Sequence, residues 1–257
     1  MKLDHNWQHK LDLLSLLTRK EISLKYKRAV LGILWSLLNP ILLAAVFFLA
    51  FKVFMRFKVE NYTFFLLSAL FSWNWFSSSV LLSARTLIDN VTLIKKVIFP
   101  RQYLVISVIL CQLIHLLCAI PILFFFSFKD GMGPSWTWLI GIPLLLVIQF
   151  AFTLGITLIV SILNTFFRDT EYLVGVGMNL IFWITPVTYP LTAIPEKFRP
   201  FFLLNPLTSL MFSWRELITH NVILWDKLGI SFVAAILSIV AGTLIFKKLE
   251  RKIDEVL

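Results

Sequence analysis

Cys111, His115 and Cys118 lie in one apolar run and share a face of any helix drawn through it, with Gln112 beside them. Two thiols and an imidazole are metal ligands in kind. At about 1.5 Å of rise per residue, however, the cysteines stand roughly 10 Å apart, too far to grip one ion. Nor can two cysteines at that spacing in one helix reach disulfide geometry. Packing and hydrogen bonding account for the group, and no metal is expected. Catalytic equipment is missing elsewhere too. No Gly-x-x-x-x-Gly-Lys-Ser/Thr occurs, so this chain does not cradle nucleotide phosphates in that manner. The 14 acidic residues are scattered, and those in apolar surroundings do not pair as a proton relay requires.

Two softer chemistries remain. Lys20, Lys25, Lys27 and Arg28 cluster before the first apolar run, where they could meet a lipid phosphate or simply mark the cytoplasmic side. Ser68, Ser72, Trp75, Ser79 and Ser83 recur at spacings of four, three, four and four, one helical face, with Trp73, Asn74 and Phe76 close by. Sugars present both hydroxyls and apolar C–H faces, so Ser72, Trp73, Trp75, Phe76 and Ser79 are candidates to line a path for a glycan. The same spacing also describes a seam of small residues against a neighbouring helix.

The elements that carry these residues are membrane spans. Of 257 residues 59% are hydrophobic and 15% aromatic, with mean hydropathy +0.86, whereas a soluble domain is about half apolar. The net charge of +10 gathers at the ends of apolar runs, which fits headgroups and not nucleic acid. The sequence predicts one all-α membrane domain over 1–257, with a cytoplasmic interface segment at 1–32, a core at 33–246 and a tail at 247–257. Six spans are read at roughly 33–54, 63–84, 103–127, 138–163, 172–189 and 228–246, at about 20 residues per crossing. With both termini cytoplasmic, 16 of the 24 Lys and Arg fall inside, the sign topology requires.

Three segments between the spans carry information. Residues 1–30 read as an imperfect amphipathic helix in the interface. Between spans two and three, Asp89 or Asn90 opens a short helix that Pro100 closes. Leu93, Ile94, Val97 and Ile98 fall on one side of it and Lys95 and Lys96 on the other, a shape that suits lipid or a groove in another protein. After Arg168 and Asp169, read as a local charge pair, the fifth span leads into Pro190, Pro195, Pro200 and Pro206 set among Phe198, Phe201 and Phe202, with Asn205 before the last proline. Prolines forbid a continuous helix, and apolar broken backbone survives at depth only when buried or lining a cavity. A re-entrant pair of helices is therefore expected at 190–219, with an interfacial loop as the alternative.

In sequence order, Tyr26-Lys27-Arg28-Ala29-Val30-Leu31-Gly32-Ile33-Leu34-Trp35 with Asn39-Pro40, then Leu93-Ile94-Lys95-Lys96-Val97-Ile98-Phe99-Pro100, Phe167-Arg168-Asp169, Thr185-Pro186-Val187 with Tyr189, and Asn205-Pro206-Leu207 with Arg215 make a set. With that set the chain resembles, over almost its whole length, the permeases of ABC transporters that export polysaccharides such as O-antigen and teichoic acid (Wzm-type). Lys27 departs from the arginine more usual there. The resemblance implies a homodimer in the bacterial inner membrane with two ATP-binding subunits, which hold the ATP and Mg; this chain would carry no cofactor. It implies that Leu93, Ile94, Lys95, Lys96, Val97 and Ile98 couple to the ATPase, and that Pro190, Pro195, Phe198, Phe201, Phe202, Asn205 and Pro206 belong to periplasmic gate helices. The substrate implied is a polysaccharide on undecaprenyl diphosphate, O-antigen first, with teichoic acid, capsule, a drug or a small lipid as alternatives. An ion-coupled secondary transporter is the rival from another class, disfavoured because neither mid-membrane ion ligands nor internal repeats are evident.

Overall fold

The computed structural model describes residues 2–27, 32–54, 56, 61–129, 131 and 133–253. Among them every regular element is helical. Helix α1 covers Lys2–Tyr26. A 3-10 turn, Gly32–Leu34, leads into α2, Trp35–Phe47, which widens into a π-turn over Phe48–Phe54. Then come α3 (Tyr62–Asp89), the short α4 (Val91–Lys96), α5 (Gln102–Lys129) and α6 (Trp136–Phe166). After α7 (Thr170–Ile184), two 3-10 turns precede α8 (Arg199–Leu204) and α9 (Pro206–His220), and α10 (Trp225–Glu250) closes the fold.

Four helices, α3, α5, α6 and α10, are long and apolar enough to cross a bilayer. The other two expected spans are shorter apolar helices, Ile41–Phe54 and Thr170–Ile184. The fifth was expected to reach residue 189, but it stops at Ile184. Pro186 supplies no N–H and its ring pushes Thr185 out of the helical region; Thr185 is extended, with φ −91° and ψ 121°. Its 15 residues reach about 22 Å at 1.5 Å each, short of a hydrocarbon core of about 30 Å.

The core lies where α3, α6, α9 and α10 meet. α3 is buried along most of its length, from Tyr62 to Leu87. Against α6, α10 packs backbone to backbone. A Cβ added at Gly155 would fall on the carbonyl of Ser238, and one at Gly242 on the carbonyl oxygen of Gly155. Small residues bring membrane helices this close because lipid offers no hydrophobic force between them, leaving van der Waals contact to hold the pair. α1 lies along α5, and α9 is wedged among α3, α6 and α10.

Candidate functional site

The end of α1 meets the middle of α5 in a polar cluster. The Lys25 ammonium donates to Gln112 Oε1 at 3.1 Å and lies 3.3 Å from His115 Nδ1. The Tyr26 hydroxyl is 2.6 Å from His115 Nε2, and the two rings meet edge to face. Nδ1 also lies 3.1 Å from Gln112 Oε1, so the imidazole bridges Tyr26 and the Lys25–Gln112 pair. Gln112 and His115 meet Lys25 as neutral partners. Burial pushes its pKa down, with nearby Cys111 opposing. Gln112 and His115 position a cation.

This cluster sits between two cavities that share Lys25 and Gln112. One, of about 260 Å³, is bordered by Trp35, Asn74, Ser78 and His115. The other, of about 590 Å³, runs past Lys20, Thr86 and Asn90 to Leu93 on α4. Indole, amides, hydroxyls and a cation line one continuous ledge from the short helix α4 into the span region. Such a surface offers stacking for a sugar ring, hydrogen bonds for its hydroxyls and a positive charge for a phosphate.

Of the residues expected to line the path, Trp75 borders the smaller cavity and the other four are packed in the interior. Ser72, Trp73, Trp75, Phe76 and Ser79 are all at most 4% exposed. Ser72 Oγ donates to Gln149 Oε1 at 2.6 Å, Gln149 Nε2 donates back to the Ser72 carbonyl at 2.8 Å, and Trp214 Nε1 donates to the same Oε1 at 2.6 Å. Trp75 Nε1 reaches the Ile109 carbonyl at 3.2 Å, and Ser79 Oγ the Trp75 carbonyl at 2.6 Å. Trp73 rests on Phe182 and Phe76 on Phe152. This is the packed seam. The polar residues of α3 on the cavity side are its neighbours Asn74 and Ser78.

Of the basic residues, Lys20 donates to Asn90 Oδ1 and pairs with Glu21 at 3.4 Å. Lys27 is exposed, and Arg28 lies outside the described residues. α4 is shorter than expected, ending at Lys96, with Val97 already extended. That break splits the apolar side. Ile94 turns inward at 7% exposed and Leu93 packs beside it, while Val97 is half exposed and Ile98 fully so; Lys95 and Lys96 face outward. An outside partner would therefore grip Val97 and Ile98, not Ile94. Arg168 and Asp169 are exposed at the α6–α7 turn. Among the described residues the ion pairs at this corner are Arg85–Glu171 and Arg85–Asp89, both at 3.6 Å.

At 190–219 two short helices do follow the break. Phe198 and Phe201 are exposed, as is Pro195; Pro190, Phe202, Asn205 and Pro206 are half buried. Asn205 joins the helices, accepting the Leu207 N–H at 3.0 Å as the N-cap of α9. Sequence reasoning missed Arg215 as a structural actor, although an arginine next to Trp214 and four residues after Met211 is a conspicuous charge to place at depth.

Residues 12–218 match the family model described as ABC-2 type transporter. Two proteins of Klebsiella pneumoniae named O-antigen export system permease protein RfbA are each 40% identical over 257 residues, spanning all of this chain and 99% of theirs. A Myxococcus xanthus protein of the same name is 37% identical over 207 residues, 80% of this chain and 79% of its own.

Proposed function

This chain belongs to the ABC-2 type transporter family, and from that premise we propose that it is the membrane subunit of an exporter that moves O-antigen polysaccharide out of the cytoplasm. The observation that carries the reading is its end-to-end likeness to permeases named for O-antigen export. The polymer travels on undecaprenyl diphosphate from the cytoplasmic to the periplasmic face of the bacterial inner membrane. Two copies of the chain, each crossing six times with both termini in the cytoplasm, enclose the path. Two ATP-binding subunits carry ATP and Mg and supply the energy.

The ATPase grips the exposed Val97 and Ile98 and turns α4. The larger cavity lies between α4 and α1, so motion of α4 alters the wall that a phosphate would touch at Lys20 and Lys25. The smaller cavity receives sugar at Trp35, Asn74 and Ser78. The α8–α9 pair closes the outer side.

Reconstitution tests the reading. Proteoliposomes holding the permease with its ATPase subunits and lipid-linked O-antigen should move glycan across the bilayer only with ATP. No transfer, or transfer by the permease alone against a gradient, overturns it.

A further inference from the structure

α7 ends where Pro186 breaks it, and the polar groups of residues 185–188 are turned out of any helix and buried. Side chains from two other parts of the fold satisfy them. Arg215 of α9 donates Nη1 to the Pro186 carbonyl at 3.1 Å and Nη2 to the Val187 carbonyl at 2.6 Å. Tyr62 of α3 donates its hydroxyl to the Thr188 carbonyl at 2.7 Å. Asn205, between α8 and α9, donates Nδ2 to Thr185 Oγ1 at 3.0 Å.

Arg215 is 2% exposed, and its guanidinium carbon lies 3.8 Å from the centre of the Phe65 ring. Among the described residues no carboxylate pairs with it; the adjacent Glu216 pairs with His220 at 3.1 Å. Burying a guanidinium without a counter-charge is expensive. What a guanidinium does that lysine, methionine or glutamine does not is hold two successive carbonyls at once on a planar fork while its face rests on an aromatic ring.

We propose that Arg215 is a positioning residue that pins the broken end of α7 to α9, so that this end of the fifth span is held to the core while the rest of the span is left lightly packed. Little else holds α7: Met178 is its one buried residue among those described. α9, by contrast, is tied into the core through Trp214 and Gln149. The pin thus joins a lightly held span to a firmly seated helix. What the pin serves rests on the exporter reading; the pin itself does not.

Amide hydrogen exchange on the full-length permease in proteoliposomes with its ATPase subunits reads the pin directly. A nucleotide-free leak of a small trapped dye reads its consequence. Arg215→Met should speed exchange over residues 185–190 at least about tenfold, the loss of one charge-assisted hydrogen bond, leave α3, α6 and α10 protected, and raise the leak. Arg215→Lys keeps the charge without the fork and should fall between. Tyr62→Phe, which removes only the bond to Thr188, should speed the same segment about threefold; it and Arg215→Lys carry the test if the methionine variant fails to fold. Unchanged exchange at 185–190 in these two variants overturns the proposal. So does faster exchange spread evenly through the core with no leak, which would make Arg215 a packing residue only. Neither readout uses glycan, so a wild-type protein with an intact pin but no ATP-driven glycan transfer would sink the exporter reading and leave the pin standing.

Discussion

α10 and α7 are both apolar helices packed on α6, yet they are attached in opposite ways. α10 lies backbone to backbone with α6 at Gly155 and Gly242, where no side chain fits between them. In α7, Gly175 and Gly177 have open space where a Cβ would stand, and Tyr172, Leu173, Val176, Leu180 and Trp183 are exposed. Identical residue types thus mark a weld in one helix and an uncommitted face in the other. Few buried contacts mean a low local cost of displacement, so the α6–α10 pair reads as frame and α7 as the part free to shift.

The sharpest way to break that comparison is to treat the two glycine pairs alike. Gly155→Val puts three carbons into the Ser238 backbone, with no flexible side chain to yield. It should cost about 3 kcal/mol, the upper end for overpacking, read as a lowered Tm or loss of folded protein in detergent. Gly175→Ala adds a methyl to open space and should stay within about 1 kcal/mol of the native protein, on the stabilising side if helix propensity governs. If both variants lose stability equally, α7 is not lightly held.

The same contrast recurs within five residues of α4 and the extended segment that leaves it. Ile94→Ala removes a buried side chain and should cost about 2 kcal/mol or more, seen in Tm, with transport falling only as folded protein falls. Ile98→Asp changes a fully exposed residue and should leave Tm within about 0.5 kcal/mol equivalent. It should nonetheless cut ATP-dependent transport about tenfold by putting a charge where a partner needs an apolar tip. Normal transport in Ile98→Asp would move the grip to another surface.

The comparison also explains what could be read from sequence. Four long spans and the two helices after the break were legible because apolar length and proline act locally, whatever packs beside them. Pro186 and Pro190 suggest a broken or tilted end to the fifth span, and α7 ends five residues short of 189 because Pro186 withholds a backbone donor although the apolar run continues to Tyr189. The expected lining fell mostly on the packed side of α3, with Trp75 at the edge of the smaller cavity. Serines every three or four residues mark a face that neighbours approach closely, and nothing in their spacing tells lumen from seam. That answer lay with Gln149 and Trp214, 65 or more positions away in sequence from their partners. α4 was drawn as one amphipathic face because ideal helical spacing was carried past Lys96, where the helix has already ended.

The weakest expected effect lies at the N-terminal end of α7 and decides what holds it there. Arg85 and Glu171 pair at 3.6 Å with both side chains more than a third exposed. Asn164, buried, accepts the Glu171 N–H at 2.9 Å and donates to the Ala84 carbonyl at 2.9 Å. An exposed ion pair contributes at most about 1 kcal/mol and fades with salt. The Asn164 bonds are shielded and neutral, so salt barely touches them. Arg85→Ala should therefore speed amide exchange in the first turn of α7 by no more than about fivefold at low salt, and the difference should vanish near 1 M salt. Asn164→Ala should speed it more and at either salt, since it takes the acceptor from the Glu171 N–H. A large, salt-sensitive effect at Arg85 would mean that this end of α7 is held by charge, and that the span is fastened at both ends instead of pinned at one.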